Sequence, residues 1–184
     1  MRMYLSRRDN RVLRFIEAFG CATTFQIHQL FFVDVTRRRC QQRLTQLWKH
    51  KKVKRDREYL AQDYLYFMGK KPTEINHMLM RVDFYIALIR RYRLYDFIPE
   101  FTVGDVKADA YFEAHLNGRC IPYFLEVQIS PWRQGKYERL YGSGQWLDRW
   151  ECFPKVLVIS DYRIQFKPST ITYKQLFAGK EIIL

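Results

Sequence analysis

Residues 36–57 read TRRRCQQRLTQLWKHKKVKRDR, and this stretch decides what the first part of the chain can be. On a helix of period 3.6, Cys40, Leu44 and Leu47 fall on one stripe, and Arg38, Gln42, Thr45 and Lys49 fall on the opposite one. The apolar stripe can dock on a core. The polar stripe presents Arg, which grips guanine edges or phosphates as a fork, and Gln, which pairs with adenine. Beyond it Lys51, Lys52, Lys54 and Arg55 run into a strand-like segment, residues 59–67, so a basic β-hairpin is predicted behind the helix.

Upstream, Ser6-Arg-Arg-Asp9 reads as a capping box with Asp in place of Glu, opening a helix through Val12, Leu13, Ile16 and Phe19 that ends at Gly20. Thr23 or Thr24 caps a second helix through Ile27, Leu30 and Phe31. The connection Phe32-Val33-Asp34 is short enough for a tight corner before the third helix, which starts near Val35-Thr36. Three helices and a hairpin are the order of a winged helix-turn-helix. The Gly69-Lys-Lys-Pro72 segment is a linker, which gives a first domain of residues 1–71 and a second of residues 72–184.

The formal net charge of +13 is unevenly placed. Residues 1–71 hold 17 Lys and Arg against 6 Asp and Glu, and residues 72–184 hold 15 against 13. Spread evenly, such a charge would identify no partner; gathered on a helix and hairpin, it favours a phosphate-bearing polymer, and the winged-helix order makes double-stranded DNA the expected one. Arg38, Gln42 and Thr45 are the base-facing candidates. Arg37, Arg39, Lys51, Lys52 and Lys54 are the phosphate-facing ones.

No segment approaches the roughly 18 apolar residues of a membrane span, and the N-terminus lacks an apolar stretch behind its positive residues. Neither a membrane partner nor export is expected. Four scattered cysteines, Cys21, Cys40, Cys120 and Cys152, lack zinc spacing and read as buried reduced thiols, as in a cytoplasmic protein.

The second half predicts a long helix over 74–92 and strands over 96–103, 106–116 and 119–129, the last two joined by an Asn117-Gly118 hairpin turn. A helix within 133–150 bent at Gly142-Ser-Gly144, a buried strand over 155–160, a short helix within 168–176 and a strand-like tail over 181–184 complete it. The order is αβββαβ with an appendage, and the fold class of the whole chain is α+β.

Asp109 lies on the second of these strands and Glu126-Val127-Gln128 on the third. Residues two apart share a strand face, so Glu126 and Gln128 point together while Leu125, Val127 and Ile129 point into the core. With Asp109 beside Glu126, the two carboxylates can share one Mg²⁺ or Mn²⁺, which stabilises phosphate charge and acidifies an attacking water. Gln128 is placed to orient that water, and Lys136 or Arg133 can approach. The same residues also suit a hairpin whose Asp109 and Glu126 are only solvated or paired with Arg119 or Lys107.

His28, His50, His77 and His115 are isolated and stay outside this site. Tyr137 and Tyr141, one helical turn apart, read as packing or DNA contact rather than nucleophiles. Trp146 and Trp150 read as core, and Trp132 as either core or a platform for unpaired bases.

An Asp followed by a strand reading (D/E)xK within αβββαβ resembles the restriction-endonuclease-like superfamily, with Gln128 standing where that family usually has Lys. Over nearly its whole length the chain resembles the replication-relaxation family of plasmids and integrative elements. The resemblance rests on Leu5-Ser-Arg-Arg-Asp9, Thr23 to Phe31, Arg37 to Leu47, His77 to Phe84, Ala108-Asp109-Ala110 and Phe124-Leu-Glu126-Val127. It implies a winged helix followed by an endonuclease-like domain, active or catalytically degenerate. It also implies work at an origin in replication or conjugative mobilisation, relaxase-like nicking, and replication or conjugation proteins as partners. The alternative reading is a winged-helix transcriptional repressor whose second half dimerises or senses a signal; a homodimer is compatible with both.

Overall fold

The computed structural model describes residues 3–57, 62–129, 135–180 and 182–184. Among them the chain is mixed α and β, with five helices and three sheets. It divides into two compact units, Met1–Ile86 and Ala87–Leu184.

In the first unit, Ser6 and Asp9 make both reciprocal bonds of a capping box and open α1 (Arg7–Phe19). Gly20, with φ of 86°, turns the chain into β1 (Cys21–Thr23). Thr23 then caps α2 (Thr24–Phe31) with a second box, closed by Gln26. Thr36 caps α3 (Arg37–Lys49), and β2 (Lys54–Asp56) pairs antiparallel with β3 (Leu65–Phe67). The sheet runs β1-β3-β2, so β1, a strand the sequence reading did not contain, completes the pairing of the hairpin. Residues 58–61 of the expected hairpin lie outside the described residues. Val12, Ile16, Ile27, Cys40, Leu44, Leu47 and Tyr66 are fully buried, which places the predicted stripe of α3 in the core.

The unit boundary falls inside α4 (Ile75–Arg91) rather than at Gly69–Pro72. Side chains on the first half of α4 explain the shift. Ile75, Met78 and Leu79 pack on Cys21, Leu65 and Phe67, while Gln26 donates to Leu79 O and Asp83 Oδ1, and buried Arg81 donates to Phe19 O.

The second unit is built on a five-stranded sheet ordered β10-β9-β8-β7-β4. Its strands are β4 (Leu94–Pro99), β7 (Ala110–Leu116), β8 (Arg119–Gln128), β9 (Lys155–Ser160) and β10 (Tyr173–Phe177). A small hairpin of β5 (Thr102–Val103) and β6 (Val106–Lys107) interrupts the path from β4 to β7. Pairing is antiparallel from β4 through β8 and parallel from β8 through β10. Asn117 and Gly118 both have positive φ, 49° and 78°, as the two-residue β7–β8 turn requires. The β8 to β9 crossover carries α5 (Gly135–Ser143), whose Tyr137 and Leu140 pack on Tyr111, Phe124, Val156 and Val158.

Four expectations are corrected. Residues 173–177 form strand β10, not part of a helix, because parallel pairing with β9 outweighs the capping signal at Ser169 and Thr170. The tail 182–184 is not a strand. The helix expected over 133–150 stops at Ser143, ahead of Gly144 with φ of 69°. Cys120 and Cys152 are exposed, and only Cys21 and Cys40 are buried, where burial pushes the thiols up to about 11 and about 12. Trp146 is buried and Trp150 packs on the second core, as expected. Trp132 and Arg133 lie outside the described residues. No helix among the described residues is long and apolar enough to cross a membrane.

Candidate nucleic-acid interface and carboxylate pair

The outer face of α3 is set by what its inner face holds. With Cys40, Leu44 and Leu47 fully buried, Arg37, Arg38, Arg39, Gln41, Gln42 and Lys49 are left exposed, followed by Lys51, Lys52 and Lys54. The first turn contains three arginines and no acid, so like charge meets the positive end of the helix dipole. That arrangement is unfavourable in the free chain, and an external anion relieves it. Arg37 is partly committed, pairing with Asp63 and lying over the Phe25 ring at 5.4 Å. Arg38, Arg39 and Gln42 have no side-chain partner among the described residues.

Two further features fix this face. Arg43 forks onto the buried carboxylate of Asp9, Nε to Oδ1 at 2.9 Å and Nη2 to Oδ2 at 2.5 Å, which joins α3 to the capping box of α1. Burial works to raise Asp9, but Arg43 and Ser6 overcome it and hold the carboxyl below its ordinary value. At the other end, Lys51 has φ of 56°; its N–H donates to Trp48 O at 2.9 Å, and Lys52 N–H donates to Leu47 O at 2.9 Å. This is a Schellman motif with lysine at the position usually given to glycine.

Thr45 is not free to read a base: it is half-buried and its hydroxyl accepts from Arg55 Nη1 at 3.2 Å. The Arg55 guanidinium lies 3.7 Å from the Trp48 ring centre and 4.3 Å from that of Tyr64, so it ties α3 to the strands behind it. Its place in an otherwise exposed basic run hid that role in the sequence.

In the second unit, Asp109 sits where the β5–β6 hairpin rejoins the sheet. Glu100 N–H donates to Asp109 O at 2.9 Å and Asp109 N–H to Leu125 O at 3.0 Å, and its Oδ2 accepts from Val127 N–H at 2.6 Å. The register pairs Ala110 with Leu125, so Asp109 faces Glu126 one step beyond. Glu126 is buried beneath α5, where Tyr137 donates to its Oε1 and Lys136 Nζ lies 2.8 Å from the same oxygen. Lys136 also donates to Lys107 O at 3.0 Å. Burial first, then the neighbouring charge of Asp109, pushes the Glu126 carboxyl up to about 7, with Lys136 and Tyr137 pulling the other way.

Neither Lys107 nor Arg119 pairs with the carboxylates. Lys107 bonds Glu100 at 2.5 Å, and Arg119 lies at the turn end of β8. Gln128 is half-buried, and Ile129, expected in the core, is exposed. Tyr137 is fully buried, its hydroxyl is spent on Glu126, and burial and then Glu126 hold it above the ordinary tyrosine range; Tyr141 is exposed. Among the described residues no three His, Cys, Asp or Glu side chains converge.

Comparison with protein-family models, curated proteins and solved structures gives no match.

Asp109 and Glu126 are hard oxygen donors on one sheet face, and an ammonium group already lies against one of them. This donor chemistry fits Mg²⁺ or Mn²⁺, with Asp109 and Glu126 as the residues that would hold it.

Proposed function

We propose that the chain is a sequence-specific double-stranded DNA-binding protein of a mobile element, acting at an origin in plasmid replication or conjugative mobilisation. The observation that carries this reading is α3: a helix locked at both ends, with its apolar stripe buried and its arginines and Gln42 left facing outward. The order α1-β1-α2-α3-β2-β3 with sheet order β1-β3-β2 supports a winged helix, in which such a helix enters the major groove. Arg38 and Gln42 read bases, and Arg39, Lys51, Lys52 and Lys54 hold phosphates. The mobile-element setting rests on the resemblance described above.

The second unit is proposed as an endonuclease-like domain, on the specific observation that Asp109, Glu126 and Lys136 meet on one face of its sheet. Where the resembling superfamily has lysine two residues after the acidic position, this chain has Gln128, and the ammonium comes from α5 instead. A bound Mg²⁺ or Mn²⁺ would supply charge stabilisation at a phosphate and a more acidic water. Asp109 is held for that task by Val127 N–H, and Lys136 places its Nζ against Glu126. Replication or conjugation proteins are the partners this reading expects.

Two measurements test the reading. Binding to duplexes carrying the element's own origin is compared for the native chain and Arg38→Ala/Gln42→Ala; loss of site preference by about 2 kcal/mol is expected, and unchanged preference removes α3 as the reader. Nicking of supercoiled origin DNA with Mg²⁺ or Mn²⁺ is then compared for the native chain, Asp109→Ala and Glu126→Ala. Binding without nicking in all three leaves a DNA-binding regulator whose second unit acts as a platform.

A further inference from the structure

The exposed arginines of α1 are not used by the α3 face. Arg7, Arg11 and Arg14 are all exposed and recur at i, i+4 and i+7, so they form one stripe about 10 Å long. Asp9, which binds Arg43 of α3, marks the side of α1 turned to α3. At about 100° per residue, the three arginines lie roughly 140–200° around the helix from Asp9, which turns them away from α3. Their neighbour Arg8 is spent on Asp34 at 2.8 Å and on the Phe32 ring. Arg11 rests over the Phe31 ring at 5.5 Å, and none of the three has a carboxylate partner among the described residues.

Like charges at i, i+3 and i, i+4 repel, so this stripe weakens the helix that carries it. Exposed Glu17, three residues past Arg14, lies at the end of the row and forms no ion pair with it among the described residues. A polyanion laid along the row removes the repulsion, and arginine forks match phosphate oxygens.

We propose that the α1 stripe is a second duplex-binding surface, so that one chain holds two DNA segments, one on α3 and one on α1. The inference rests on the DNA-binding reading of α3. It names duplex DNA as the occupant because a duplex held on α3 presents its own distant segments at high local concentration. The stripe spans about three phosphate repeats of one strand.

The test uses the full chain on a tethered origin duplex, with a second, labelled duplex of mixed sequence supplied in solution. The native chain is expected to capture the second duplex. Arg7→Gln/Arg11→Gln/Arg14→Gln keeps helix propensity, which circular dichroism verifies, and is expected to bind the tethered duplex within about twofold of the native chain. Its capture of the second duplex is expected to fall by about tenfold or more, and the triple lysine variant, which keeps the charge, to retain part of it. Equal capture by the glutamine variant, or no capture by the native chain while bound to the tether, overturns the second surface and leaves α3 untouched. Polyglutamate displacing the labelled duplex as well as DNA does would assign the stripe to an acidic protein and also overturn it. Failure to bind even the tethered duplex sinks the DNA-binding reading itself, and this inference with it.

Discussion

Lys51 is the residue where stability and the proposed function pull apart. Its left-handed conformation, φ of 56°, closes α3 in a motif that glycine enters freely. Lys51→Gly should therefore stabilise the chain by up to about 1 kcal/mol in urea unfolding while weakening duplex binding, because a phosphate-facing charge is lost. A gain in stability with unchanged affinity would make Lys51 a bystander. Glu126 poses a different residue-scale question, because its pKa of about 7 stands above the ordinary 4.5. Between those pH values the unfolded chain has released a proton that the folded chain keeps. Stability is then expected to fall as pH rises through that window. Glu126→Gln should flatten the fall, measured as urea midpoints between pH 4.5 and 7.5. Matching profiles for the two chains would show that Glu126 ionises normally.

At the scale of elements, the joint between α1 and α3 is the most exposed to single substitutions. Asp9 is 1% exposed, and Arg43→Ala leaves its buried carboxylate without the fork, held only by Ser6. A loss of about 3 kcal/mol is expected, and a double-mutant cycle with Asp9→Asn should recover part of it. Additive losses would show that the two side chains act separately. Much of this unit was legible because its signals are local: the capping box at Ser6 and Asp9 and the three-residue stripe on α3 need no tertiary information. The meeting of Asp109 and Glu126 was legible for a related reason. A two-residue turn at Asn117-Gly118 fixes the register of both strands and brings those positions opposite each other. Strand β1 was missed because three residues carry no period, and β10 was misread because its pairing with β9 is decided by the sheet. Thr45 was misassigned because only tertiary structure brings Arg55 onto it.

At the scale of the molecule, the division of charge predicts how binding should respond to salt. Residues 1–71 carry a net +11 and residues 72–184 a net +2, and the exposed cations of α3 and the segment after it that have no partner among the described residues lie in the first group. If four to six of Arg38, Arg39, Lys49, Lys51, Lys52 and Lys54 each displace a counterion, log affinity should fall against log salt with a slope of about −4 to −5. Removing a phosphate contact such as Lys52 should lessen that slope by about 1 for every sequence alike. Removing Gln42 should leave the slope in place and weaken only the preferred site. A chain attracted merely by its overall charge would still show the Lys52 effect but would lose nothing at the preferred site on removal of Gln42, because a neutral side chain adds nothing to a purely electrostatic attraction. Fluorescence anisotropy on origin and scrambled duplexes across a salt series distinguishes these cases. Unchanged preference for the origin duplex in Gln42→Ala, with the slope still lessened in Lys52→Ala, would reduce the α3 face to a generic basic surface.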